Sequence, residues 1–138
     1  MNNNILRFKE NISNTEDIKS IYIERLNLKN FRNHKNLSLN LNNSSLLIYG
    51  GNGCGKTNVL EAISLLIQGK GLRKANIENY LNKEENFNNG YNTWGINADF
   101  IGPKGKINIG IGLKKTPSNT SRVAKINSDY VPLSSLGK

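Results

Sequence analysis

The sequence predicts an α/β fold: a strand, a glycine-rich loop and a helix, followed by an antiparallel β-meander. Three observations predict it. The apolar run at 46–49 leads directly into GGNGCGKT at 50–57. Helical periodicity follows over 57–68. Beyond residue 93, apolar and polar residues alternate in successive short runs separated by turn residues.

Residues 1–20 are polar and asparagine-rich, without sustained periodicity, and read as a flexible N-terminal extension. Residues 21–28 are β-like. Leu37, Leu39 and Leu41 alternate with Ser38 and Asn40, the pattern of a half-buried strand. Asn42, Asn43 and Ser44 make a turn. The continuous run at 46–49 predicts a strand covered on both faces. In the helix at 57–68, Val59, Ala62, Ile63 and Leu66 form an apolar stripe, widened by Leu60 and Ile67. Thr57, Glu61, Ser64 and Gln68 form a narrow polar stripe, and Gly69 is a C-terminal stop. The stripe predicts a mostly buried helix against the preceding sheet.

Residues 74–81 read as a short helix and 82–92 as a polar surface loop. Trp94, Ile96, Ala98 and Phe100 alternate, the chain turns at 102–105, and Ile107, Ile109, Ile111 and Leu113 alternate again. After a loop at 116–121, residues 122–126 read as a third strand, and 127–130 turn toward Val131.

Composition narrows the function. The chain has 138 residues, 19 Lys and Arg against 10 Asp and Glu, and a net charge of +9. Leu, Ile, Val and Phe exceed the ~20% below which a charged chain stays disordered. No apolar run approaches the ~18 residues of a membrane span, so no membrane association is expected. The first 20 residues hold three acids and no apolar block, unlike a secretory leader. One cysteine and one histidine argue against a disulfide scaffold or a zinc site. A cytoplasmic protein is the expectation. The basic excess, concentrated in 21–60 and 101–138, fits a polyanion partner. It fits equally a compositional bias toward Lys and Asn.

GGNGCGKT matches G-x-x-x-x-G-K-[ST], the phosphate-binding loop, in the required context after a strand and before a helix. Gly50, Gly51, Gly53 and Gly55 permit positive φ and close backbone approach. Backbone N–H groups of the loop, including those of Asn52 and Cys54, would converge on phosphate oxygens. The helix N-terminus adds its positive dipole end. Lys56 would reach the β- and γ-phosphates, and the Thr57 hydroxyl would ligate Mg²⁺.

The flanking segments are as informative: IERLNLKNFRNHKNLSLNL at 23–41 and KTNVLEAISLLIQGKGLR at 56–73. With the loop between them they resemble the start of the RecF family, in its NFRN segment, its GxNGxGKTNxLEAI run and its G-[KR]-x-[FL]-R segment. The resemblance is dense over 21–81 and weaker, but ordered, through the meander. It implies a P-loop ATPase of the ABC/SMC-like head type, here the N-terminal part of an incomplete domain spanning 21–138. It implies ATP and Mg²⁺ as cofactors and an ATP-dependent head-to-tail dimer of the chain with itself. It implies DNA at gapped duplex and single-strand sites, and RecR and RecO as partners in recombinase loading. Residue by residue, Asn52, Lys56 and Thr57 carry over, and Arg32 and Asn33 match a segment lying against the nucleotide. Lys70, Arg73 and Lys74 are candidates for DNA phosphates. Glu61 reads as a helix-surface residue and His34 as a solvent-exposed turn histidine. Gly51 stands where the family often has proline, and Cys54 where a small residue is usual.

Residues 1–138 show no apolar run ending in paired acids and no Ser-Gly-Gly loop. No catalytic residue is therefore assigned within this chain, which is expected to be an N-terminal portion that binds nucleotide weakly or not at all alone and does not hydrolyse it. Alternatives are another SMC-like head, such as an overcoming-lysogenization-defect nuclease or a chromosome-partition protein. A transporter-type ABC subunit and a free-standing nucleotide- or DNA-binding module are the others.

Overall fold

A computed structural model describes residues 7–11, 20–68, 71, 75–82 and 93–137. Their strands are β1 (Arg7–Asn11), β2 (Tyr22–Phe31), β3 (His34–Asn40), β4 (Ser45–Tyr49), β5 (Gly95–Gly102), β6 (Gly105–Thr116), β7 (Asn119–Ile126) and β8 (Asp129–Val131). One α-helix, α1 (Lys56–Gln68), follows β4, and 3₁₀ turns cover Ile77–Tyr80 and Leu133–Ser135.

Six strands form one antiparallel sheet in the order β3-β2-β5-β6-β7-β8. The expected meander is present, and the strand pair before the glycine-rich loop joins it. On the inner face Leu26, Leu28, Ile96, Ala98, Ile111 and Ala124 are buried against Val59, Ala62, Leu65 and Leu66 of α1. A fully buried Leu side chain is worth about 1.5–3 kcal/mol, so this seam fixes the helix on the sheet. Phe31, Tyr80 and Trp94 close its end. Phe31 stacks on Tyr80 at 5.5 Å, and Trp94 meets both rings edge-on.

Several expectations are corrected. Residues 7–11, within the segment read as a flexible extension, form β1 and pair antiparallel with β4. The rest of 1–19 lies outside the described residues. β4 is not covered on both faces. Leu46 and Ile48 pack on the core, whereas Leu47 and Tyr49 are 54% and 44% exposed; β4 pairs with β1 in a separate two-stranded sheet. The helix packs chiefly on β5 and β6, which follow it in sequence, and its buried stripe is rotated from the expected one. Leu65 and Glu61 are inside, while Leu60 and Ile67 are exposed. The loop expected at 116–121 is a tight turn, since β6 runs to Thr116 and β7 starts at Asn119. The short helix expected at 74–81 is the 3₁₀ turn at Ile77–Tyr80. The expected helix stop at Gly69 and most of the 82–92 loop lie outside the described residues.

Candidate phosphate-binding site

The loop at 50–55 joins β4 to α1, and three of its glycines adopt positive φ: Gly50 at 153°, Gly53 at 81° and Gly55 at 97°. Gly55 is constrained twice. Beyond its φ, a Cβ there would sit 2.6 Å from both Asn33 Oδ1 and His34 Nε2. Its carbonyl opens the helix, accepting from Asn58 N at 3.1 Å and Val59 N at 3.2 Å. No acidic residue lies in the first turn of α1, so the positive end of the helix dipole is left for an external anion. Asn52, Gly53, Gly55, Lys56, Thr57 and Asn58 line a pocket of about 360 Å³ at this end.

Lys56 folds back over the loop. Its Nζ donates to Gly50 O and Gly51 O, both at 2.8 Å, and lies 3.7 Å from Cys54 Sγ. The ammonium thus sits at the loop on a flexible stem, held by hydrogen bonds that an anion in the pocket can replace. Cys54 is buried. Thr57 and Asn52 are exposed beside the pocket.

The NFRN segment packs behind the loop. Phe31 pairs with His34 across the tight β2–β3 turn, which holds Arg32 at φ 55°. Arg32 N donates to Tyr80 O at 2.7 Å. The Arg32 guanidinium donates through Nε and Nη2 to both oxygens of Glu61, at 3.2 and 3.1 Å, and through Nη1 to Asn79 O at 2.9 Å. It also lies over the Tyr80 ring, 4.8 Å from the centroid. Asn33 Nδ2 donates to Gly53 O at 3.3 Å, and Asn33 Oδ1 accepts from Asn58 Nδ2 at 2.8 Å. Asn33 therefore lies against the glycine-rich loop. Arg32, expected on the nucleotide, is engaged with Glu61 and Asn79 in this structure.

Two residues expected in solvent are buried, His34 and Glu61. His34 is buried, with Nε2 3.1 Å from Gly55 O, because the turn folds under the loop instead of into solvent. Glu61 is fully buried, because Arg32 reaches it from the hairpin. A signal for that pairing was available: Glu61 is the sole acid between Glu24 and Glu78. Lys70, Arg73 and Lys74 lie outside the described residues. Among the described residues no cluster of His, Cys, Asp and Glu could hold a metal ion. No helix among them is long and apolar enough to cross a membrane.

The outer face of the six-stranded sheet carries a second grouping. Tyr130 is 62% exposed, with Lys125 Nζ 4.4 Å and Lys114 Nζ 5.4 Å from its ring centroid. Asp99 is buried on the same face, bonded to Arg25 at 2.6 Å, Asn108 at 2.7 Å and Lys106 at 3.2 Å.

Comparison with known proteins agrees with this geometry. The AAA domain family model matches residues 25–137. The DNA replication and repair protein RecF of Rickettsia conorii is 48% identical over 68 residues, 49% of this chain and 19% of that protein. RecF of Rickettsia massiliae is 50% identical over 60 residues, 44% of this chain and 17% of that one. The aligned segment thus spans under a fifth of the length of these curated relatives. A solved structure of the recombination mediator protein RecF with ATP superposes with a TM-score of 0.66 at 24% identity, covering 87% of this chain and 30% of that one. A second RecF structure, described as RecF-ATPrS, gives 0.61 at 23% identity, covering 80% and 28%. The shared fold bears out the P-loop ATPase architecture with its antiparallel sheet.

Proposed function

Since the chain belongs to the AAA domain family, we propose that it is an ATP-binding protein of the RecF type acting in DNA replication and repair. The observation that carries this reading is the phosphate loop: positive-φ glycines, a helix N-terminus free of acids, and a pocket-lining lysine bound, among the described residues, to the loop's own carbonyls and the Cys54 sulfur. A triphosphate suits these residues. Backbone N–H groups of 51–57 would bind its oxygens, and Lys56 would exchange two carbonyls for the β- and γ-phosphates. Asn52 would contact the γ-phosphate. Thr57 would offer its hydroxyl to Mg²⁺, which neutralises phosphate charge when bound.

The domain proper is assigned to 21–138, and DNA is its macromolecular partner. Support for DNA comes from the net charge of +9 and from Tyr130 flanked by two lysines, a stacking surface beside phosphate-binding cations. An ATP-dependent head-to-tail dimer, RecR and RecO as partners, and a cytoplasmic location complete the reading.

The test is ATP binding by the purified chain, followed by calorimetry with and without Mg²⁺. Weak binding is expected, strengthened by Mg²⁺ and lost in Lys56→Ala. Absence of binding, or binding indifferent to Lys56→Ala, would overturn the proposal.

A further inference from the structure

We propose that the tip of the β2–β3 hairpin positions the phosphate loop, with His34 and Asn33 as positioning residues and the Arg32–Glu61 pair as their anchor. The inference rests on the reading of the loop as a nucleotide site. None of these four side chains is required to touch the nucleotide.

The argument starts at one peptide plane. In a trans peptide the carbonyl and the following N–H point in opposite directions. Gly55 O points into the helix, where it accepts from Asn58 N and Val59 N, and His34 Nε2 lies 3.1 Å from it. A carbonyl oxygen only accepts, so Nε2 carries the proton. Holding Gly55 O in this way aims the Lys56 N–H out of the helix end, toward the pocket where an anion would sit. His34 is 9% exposed, so little water competes for this hydrogen bond.

Asn33 braces the same loop from the exposed side. Its amide joins Gly53 O to the Asn58 side chain, tying the loop to the first turn of α1. Gly55 lies so close to both side chains that no Cβ fits between them. The loop's last glycine is therefore dictated by the hairpin as well as by its own φ.

The tip would be a poor brace if it moved. Arg32 prevents that. It is locked to a fully buried carboxylate by two hydrogen bonds, to Asn79 O by a third, and to Tyr80 through its backbone and its guanidinium face. Such bidentate geometry fixes direction as well as distance. The left-handed φ of Arg32 is held by this surrounding structure.

The experiment compares His34→Leu, His34→Gln, Asn33→Ala and Lys56→Ala in the full chain. The readouts are ATP affinity, thermal melting, and the backbone amide resonance of Lys56 without ligand. His34→Leu is expected to melt cooperatively, shift the Lys56 resonance and weaken ATP binding by about tenfold, the scale of one lost hydrogen bond. His34→Gln, whose side-chain amide restores the N–H donor, is expected to recover most of that affinity. ATP affinity within twofold of wild type in His34→Leu, or no recovery in His34→Gln, would overturn the inference. Should His34→Leu not fold, Asn33→Ala reads the same brace, with weaker ATP binding expected and unchanged binding overturning it. If wild-type binding survives Lys56→Ala, the nucleotide reading fails instead. The Lys56 resonance then decides the positioning role without ATP: a shift in His34→Leu supports it, and an unmoved resonance removes it.

Discussion

Glu61 is fully buried, and its charge is balanced by Arg32, itself only 18% exposed. Removing one partner of such a pair leaves the other desolvated, at a cost of about 3–5 kcal/mol. Glu61→Ala is therefore expected to lower the urea midpoint sharply, more than any exposed acid such as Glu78. Gly55→Ala has a different cause. A left-handed φ costs a non-glycine residue about 1–2 kcal/mol, and the 2.6 Å contacts add overpacking of about 1–3 kcal/mol. Loss of stability together with ATP binding is the expected result in the same assays. Asp99 supplies a pH dependence. The hydrogen bond from Asn108 holds its carboxyl below the usual range, and Lys106 and Arg25 act the same way against the opposing effect of burial. A folded pKa below the unfolded ~3.9 stabilises the fold above that pH, and the contribution disappears as pH falls through the folded value. The destabilisation by Asp99→Asn is accordingly expected to be largest near neutrality and to shrink toward pH 3, as read by denaturant titration at each pH.

Within the sheet, three glycines of β5 and β6 occupy different situations. A Cβ on Gly112 would lie 2.9 Å from Trp94 O, so the close strand approach needs glycine there. A Cβ on Gly110 would make only ordinary contacts, at 3.6 and 3.7 Å, and one on Gly95 would meet nothing within 4 Å. Neither Gly95 nor Gly110 has a positive φ. Glycine in a strand interior costs about 0.5–1 kcal/mol through backbone entropy. Gly110→Ala is expected to raise the melting temperature and Gly112→Ala to lower it. The β7–β8 turn supplies a parallel case. Asn127 and Ser128 have φ of 48° and 76°, the conformation that favours Asn-Gly.

Across the whole molecule, the described structure separates two faces of one sheet. The inner face carries the helix and, at its end, the phosphate loop. The outer face carries Arg25, Asp99, Lys106, Lys114, Lys125 and Tyr130, and Asn97 and Asn108 hydrogen-bond to each other there. If the outer face meets DNA, binding must depend on salt through the number of phosphates neutralised. The double variant Lys114→Glu, Lys125→Glu is expected to bind DNA more weakly and with a shallower salt slope, while Lys56-dependent ATP binding stays unchanged. A salt slope equal to wild type would remove this face from the DNA site.

Local information made much of the protein legible. Strand alternation set β3 and the first two strands of the meander, because each strand has one buried face and a period of two needs no partner to be recognised. The glycine-rich loop was legible because it rests on backbone conformation, and glycine spacing encodes that directly. The sequence by itself determined these elements, the glycine-rich loop between strand and helix, and the family likeness. Only the tertiary structure decided which way Glu61 and His34 point, that Arg32 serves a buried carboxylate, and that one face of β4 is open. The reason is physical. A polar side chain on a helix or at a turn is equally consistent with water or with a buried partner. The partner of Glu61 lies 29 residues away and that of His34 lies 21 away, brought into reach only when the hairpin folds beneath the loop.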